Sequence, residues 1–265
     1  MGARAATIWF TDVAEPKGLL AIASRPDEAA SQAVAERVLG GPVAGRPESL
    51  ARAADPQPGH VYVAAYGGLT VVTHEALRVS RPSELDDSWW QLVPAARTFL
   101  LVADPDRAIG GFAIRNGNEI KRAFAAHPLD ILEDEGLPEL FEGPFWAGAH
   151  PLTYAAGVEP DPRALPFHPM EFAEQANREL LGFRYTHPLA ATDLDPARIQ
   201  VIDFVPAAAP PLTPQSVAAP PQGVPQQAAP PLPHPASQPR DPRDPRDPGD
   251  GDGQERGRVR SFFGF

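Results

Sequence analysis

Fifteen of the 34 prolines fall between Pro206 and Pro248, a distribution that divides the chain before any other feature is read. Proline fixes φ and removes a backbone donor, so a segment this dense in it builds neither a helix interior nor a central strand. Residues 206–255 also carry no aromatic side chain. With so little apolar area to bury, the segment cannot offset its ordering entropy and is expected to be disordered, with polyproline II character. The Arg-Asp-Pro triplets of residues 240–248 are its one true repeat, and they read as a stiff, neutral spacer. A folded body is therefore expected over residues 1–205, long enough to bury roughly 70% of its unfolded surface around one core.

Beyond the spacer, Arg256, Arg258 and Arg260 precede Phe262, Phe263 and Phe265. A basic-aromatic tip over residues 256–265 looks like a docking peptide for an acidic, apolar-lined groove, on another protein or on the body itself. The bland alternative is a frayed end that binds nothing, although three exposed phenylalanines are an unusual load for idle sequence.

The chain has no cysteine, which excludes disulfides, thiolate metal sites and a cysteine nucleophile. Its first apolar run stops at Thr11 and Asp12, short of a secretory signal, and no run reaches the length of a membrane span. The expected compartment is the bacterial cytoplasm. Net charge is −11. Six acids and six arginines cancel from residue 206 onward, so the body carries the whole excess. An acidic body with only Lys17 and Lys121 as lysines disfavours nucleic-acid binding.

Within the body, residues 5–12 have the β-branched and aromatic content of a strand. Ala30, Val34 and Val38 then recur at helical spacing, with Gly40 placed as a C-cap. Residues 47–54 suggest a short helix, and 60–77 two strands around Gly67-Gly68. Ser83 and Asp86 resemble a capping box for a helix presenting Leu85, Trp89 and Leu92 on one face. Residues 97–104 read as a buried strand. Asn116-Gly117 predicts a type I′ hairpin, with Phe112 and Ile114 on one face of its first strand and Ile120, Arg122 and Phe124 together on its second. Arg122 thus sits in apolar company and needs a carboxylate partner. Residues 168–183 predict a last helix, with Pro169 at its first position, Glu171 and Glu174 complementing the dipole, Gly182 stopping it, and Phe172, Ala173, Ala176 and Leu180 buried. Strands interspersed with helices and one antiparallel hairpin predict an α+β domain, a mixed sheet with flanking helices.

Carboxylates concentrate at Glu133, Asp134, Glu135, Glu139 and Glu142. The spacing fails the Ca²⁺-loop pattern, since its third and sixth positions would be Leu132 and Glu135. A solvated acidic turn is expected, with one member, Glu135 or Glu142, tied to Arg122. Five of the seven histidines precede proline, which places them at element junctions. His150 and His168 with Asp12 or Glu142 form a chemically permissible metal set, unsupported by any ligand spacing. No nucleophile elbow, P-loop or dinucleotide fingerprint occurs, and no cofactor is implied. Asp12 reads as a turn former, and Trp89-Trp90 and Phe145-Trp146 as core or rim packing.

In "SRPSELDD", "GGFAIRNGNEIKRAF", "EDEGLPELFEGPFWAGAHP" and "LPFHPMEF" the chain resembles an uncharacterised family of actinobacterial proteins, a domain of unknown function. The resemblance runs over roughly residues 1–205 and follows that family's order: an R-P-S-E-L segment, a hairpin with an arginine on its second strand, an acidic-glycine-proline loop, W-A-G-x-H-P, then L-P-F-H-P before a final helix. It implies a shared α+β scaffold without an activity, and it marks Arg122, Glu142, Trp146, His150 and His168 as positions where a binding site would lie. The long Pro-rich segment departs from the compact ending of the family.

Two functions follow as expectations. One is a non-enzymatic binding or adaptor protein that meets a protein partner through residues 256–265. The other is a metal-dependent hydrolase built on His150, His168 and a carboxylate.

Overall fold

The computed structural model describes residues 2–22, 25–153, 157, 159 and 161–207. The expected linker beyond residue 207 and the tip with Phe262, Phe263 and Phe265 lie outside the described residues.

Nine strands form one sheet: β1 (Ala5–Thr11), β2 (Val43–Ser49), β3 (Val61–Ala65), β4 (Leu69–Thr73), β5 (Arg97–Asp104), β6 (Ile109–Asn116), β7 (Glu119–His127), β8 (Asp130–Gly136) and β9 (Gln200–Pro206). Their order is β2-β9-β3-β4-β1-β5-β6-β7-β8. The helices are α1 (Pro16–Ile22), α2 (Glu28–Leu39), α3 (Leu50–Ala53), α4 (Asp87–Trp90), α5 (Gly143–Trp146) and α6 (Pro169–Leu181). The expected combination of sheet and helices is present, but the sheet is not mixed. Every pairing between its described strands is antiparallel.

Central strands are apolar on both sides because both faces are covered. On β1, Ala5 and Trp9 join one core, which holds Phe112, Phe124 and the α6 residues Phe172, Ala173 and Ala176. Ala6, Ile8 and Phe10 join the other, with Val34 and Ala35 of α2 and Leu85 and Trp90. Such two-sided burial explains why these segments lack a clean period of two.

Both long helices begin and end as their end residues dictate. Asp27 accepts the Ala30 N–H at the start of α2, and Gly40 closes it at φ 72°. His168 caps α6, Pro169 takes its first turn, and Gly182 closes it at φ 84°. The buried stripe of α6 ends on Leu181 rather than Leu180. Its first turn approaches β6 so closely that a Cβ on Gly110 would overlap the Pro169 carbonyl.

Four local expectations are corrected. Residues 47–49 end β2 instead of opening a helix, and α3 supplies a single turn afterwards. The helix expected from Ser83 is broken in two: a 3₁₀ turn over Pro82–Glu84, then α4 capped by Asp86, because Leu85 is extended at ψ 132°. In the β6–β7 hairpin Asn116 pairs with Glu119, so the turn residues are Gly117 and Asn118. Only Gly117 has positive φ, at 57°, the sign pattern of a type II′ turn rather than type I′. Finally, Ile114 pairs with Arg122 and Arg115 with Ile120, leaving Lys121 as a bulge. The extra residue turns Ile120 to the α2-side core while Arg122 and Phe124 face α6.

Candidate functional site

Glu133, Asp134 and Glu135 lie on a strand and not in a turn, whereas Glu139 and Glu142 bound a 3₁₀ turn. Residues 130–136 form β8, paired antiparallel to β7. Alternation sends successive acids to opposite faces: Glu133 accepts the Ser83 N–H at 3.2 Å on one side, while Asp134 bonds Arg122 on the other.

Arg122 is buried with its whole guanidinium engaged. Nε and Nη2 donate to Oε1 and Oε2 of Glu142, each at 2.8 Å, and Nη1 donates to Asp134 and to the Glu135 carbonyl at 3.0 Å. Glu142 is itself buried and accepts the Glu139 N–H at 2.9 Å, closing a capping box on the 3₁₀ turn Leu140–Glu142. Burial pulls the arginine pKa down, but the hydrogen bonds and charges of Glu142 and Asp134 outweigh it and hold the group above its ordinary value. With its donors turned inward, this cluster braces β7, β8 and residues 139–142 against one another.

An aromatic layer lies beside it. Trp146 meets Phe167 edge-on at 4.8 Å between ring centroids and stands 39% exposed at the rim. Phe145 is buried and carries the His150 ring stacked on it at 3.9 Å. His150 Nδ1 lies 3.5 Å from Glu171 on α6. His168 Nδ1 accepts the Met170 N–H at 3.2 Å, which fixes the ring proton of the neutral imidazole on Nε2. Burial lowers the His168 pKa and favours that neutral form.

His168 and Glu171 also line a cavity of about 450 Å³ whose other polar walls are Thr153, Glu174, Arg184, Thr186 and His187. The marked residues therefore separate into two groups. Arg122 and Glu142 are closed within the core, with Trp146 at its rim. His168 opens on the cavity, and His150 reaches its edge through Glu171. Asp12 is elsewhere, and its carboxylate accepts the N–H of the distant Ala96 at 2.7 Å, a long-range tie rather than the local turn bond expected of it. Among the described residues no three His, Asp or Glu side chains meet in a set able to hold a metal ion, so the His150–His168–carboxylate ligand set is not assembled. Arg184, Thr186 and His187 escape sequence reasoning. Their one signal is the alternation of polar with aromatic residues after the Gly182 helix stop, with Phe183 and Tyr185 buried between them.

A second surface concerns the open edge of the sheet. β8 pairs only with β7, and among the described residues no backbone group bonds its outer side. Beside it Leu137 is 85% and Leu140 98% exposed, next to the exposed acids Glu135 and Glu139.

Among the described residues no helix is long and apolar enough to cross a membrane. Residues 5–204 match the model of a family of unknown function, DUF6928, from the first residue of β1 into the last strand. No curated protein and no solved structure matches the chain.

Proposed function

The chain belongs to DUF6928, a family of unknown function, and we propose that it is a cytoplasmic adaptor that binds protein partners. In this reading residues 1–205 are the α+β body, residues 206–255 a linker and residues 256–265 a docking peptide for a separate partner. The observation that carries the reading is the open β8 edge with Leu137 and Leu140 exposed beside it.

An edge strand offers unpaired N–H and C=O groups to any extended chain, and main-chain pairing of that kind supplies affinity without catalysis. The exposed acids Asp130, Glu135 and Glu139 select against a second copy of the same edge by like-charge repulsion. They favour a basic extended segment whose apolar residues cover the two leucines. Arg122, Glu142 and Trp146 serve this site indirectly, by holding residues 139–146 in place.

The test is fluorescence anisotropy of the full chain with a labelled heptapeptide of alternating Arg and Val, against its Glu-Val counterpart. The basic peptide is expected to bind, to weaken as salt rises, and to be lost in Leu137→Ser/Leu140→Ser. Equal binding of the two peptides, or none, overturns the edge assignment. For the tip, deletion of residues 256–265 is expected to remove partners from the co-purified set, and an unchanged set ends that assignment.

A further inference from the structure

The cavity at the start of α6 is independent of the sheet edge and has a different chemistry. Its size, about 450 Å³, falls within the roughly 300–1,000 Å³ of small-molecule sites. Its polar walls carry opposite charges. Arg184 donates from Nη2 to Gln175, and its Nε is buried without a partner among the described residues. Glu174 is buried and already accepts from the Tyr185 N–H at 2.7 Å and the Thr186 hydroxyl at 3.0 Å. Glu171 is the more open carboxylate, at 45% side-chain exposure, with only His150 at 3.5 Å. His168 spends Nδ1 on the helix cap and keeps its Nε2–H as a donor. Met170, Leu152 and Pro188 supply apolar wall.

A simple anion entering this space meets two carboxylates, and a simple cation meets Arg184. A ligand that bears both charges satisfies both. We propose that the cavity binds a small zwitterion of amino-acid to dipeptide size, its ammonium held by Glu171 and its carboxylate by Arg184 and the Nε2–H of His168. The apolar wall then receives the side chain of the ligand.

The experiment is isothermal titration calorimetry of the full chain with each free L-amino acid and a set of glycyl dipeptides, alongside the corresponding amines and carboxylic acids. At least one zwitterion is expected to bind saturably, with its amine and its acid at least about tenfold weaker, since losing one charged hydrogen-bond partner is a step of that size. Glu171→Gln and Arg184→Met are each expected to weaken it by about tenfold or more. His168→Asn separates binding from folding: asparagine is a strong helix N-cap, so the thermal midpoint stays while affinity falls. Absence of binding across the whole panel, or binding unchanged in Arg184→Met and His168→Asn, overturns the proposal.

Discussion

Arg122 and Glu142 meet side-on inside the protein, two parallel N–H···O bonds of 2.8 Å joining groups that are both buried. The fork geometry matches guanidinium to carboxylate, and Asp134 and the Glu135 carbonyl take the remaining nitrogen. Because Glu142 also closes the capping box with Glu139, the pair fixes the path of the chain as it leaves β8 and turns into α5. The exposed leucines at 137 and 140 lie on that path.

Removing one partner should therefore be much worse than removing both. Glu142→Gln leaves a buried guanidinium without its main counter-charge and is expected to destabilise the fold by about 3–5 kcal/mol. Arg122→Met strands the carboxylate and should do the same. The double variant Arg122→Met/Glu142→Leu is expected to recover most of either loss. Urea unfolding midpoints of the three variants decide the matter, and a double variant as weak as the sum of the singles would show that the pair is not the coupled unit.

Two glycines of β6 and its turn should respond unequally to alanine. Gly117 has φ 57° with open space around it, so Gly117→Ala carries only backbone strain, roughly 1 kcal/mol. At Gly110 a Cβ would overlap the Pro169 carbonyl and the Met170 nitrogen. Gly110→Ala must push the start of α6 off the sheet, with a loss above about 2 kcal/mol. Thermal denaturation ranks the two, and equal midpoints would refute the close helix–strand approach.

Glu174 makes stability depend on pH. Burial raises its carboxyl above the ordinary value of 4.5, against the hydrogen bonds from Tyr185 and Thr186. Between 4.5 and the raised folded value, the folded chain keeps a proton that the unfolded chain has released. Fewer protons in the unfolded state mean that stability falls as pH rises through that window, and the penalty is complete above the folded value. Glu174→Gln removes the titration and keeps an oxygen to accept the Tyr185 N–H, while its amide NH2 group replaces the oxygen that accepted the Thr186 hydroxyl. Unfolding free energies measured from pH 4.5 upward should fall less steeply in this variant than in the parent, and parallel curves would exclude the assigned direction.

The sequence carried those features that depend on one residue at one place. Gly40, Gly182 and Pro169 each satisfy a local backbone demand, and helices α2 and α6 were legible from them, whereas the Asp27 cap was found only in the structure. The Asn116-Gly117 signal located a turn but not its register, since Gly117 can serve as the first turn residue as well as the second. Nothing local marks the Lys121 bulge, which is required because Ile120 and Arg122 belong to opposite cores. The acids of residues 133–135 read as a turn from composition alone, yet pairing with β7, Arg122 and the Ser83 N–H make them a strand. That is tertiary structure overriding propensity. Likewise the need of Arg122 for a carboxylate was readable from its apolar neighbours, whereas the cavity joins α6 to residues 184–187, a union the sequence pattern does not express.

The opposite edge of the sheet offers a comparable test. Asp203 on β9 is buried, and its two oxygens face His60 Nδ1 at 2.7 Å and Arg46 Nε and Nη2 at 2.8 Å. One carboxylate thus ties the edge strand β2 and the residue before β3 to the strand between them. Arg46 is 71% exposed at its side chain, so solvent screening leaves its ion pair weak by itself. Asp203→Ala removes the shared acceptor and leaves the part-buried His60 Nδ1 without its partner, while Arg46 turns to solvent, with an expected loss of about 1–3 kcal/mol. Arg46→Ala should cost less than half as much. Because β2 is held on one side only, amide hydrogen exchange in residues 43–49 should accelerate in Asp203→Ala before global stability is reached. Unchanged exchange there, with Asp203→Ala and Arg46→Ala equally stable, would mean that the β2–β9 backbone ladder alone secures this edge.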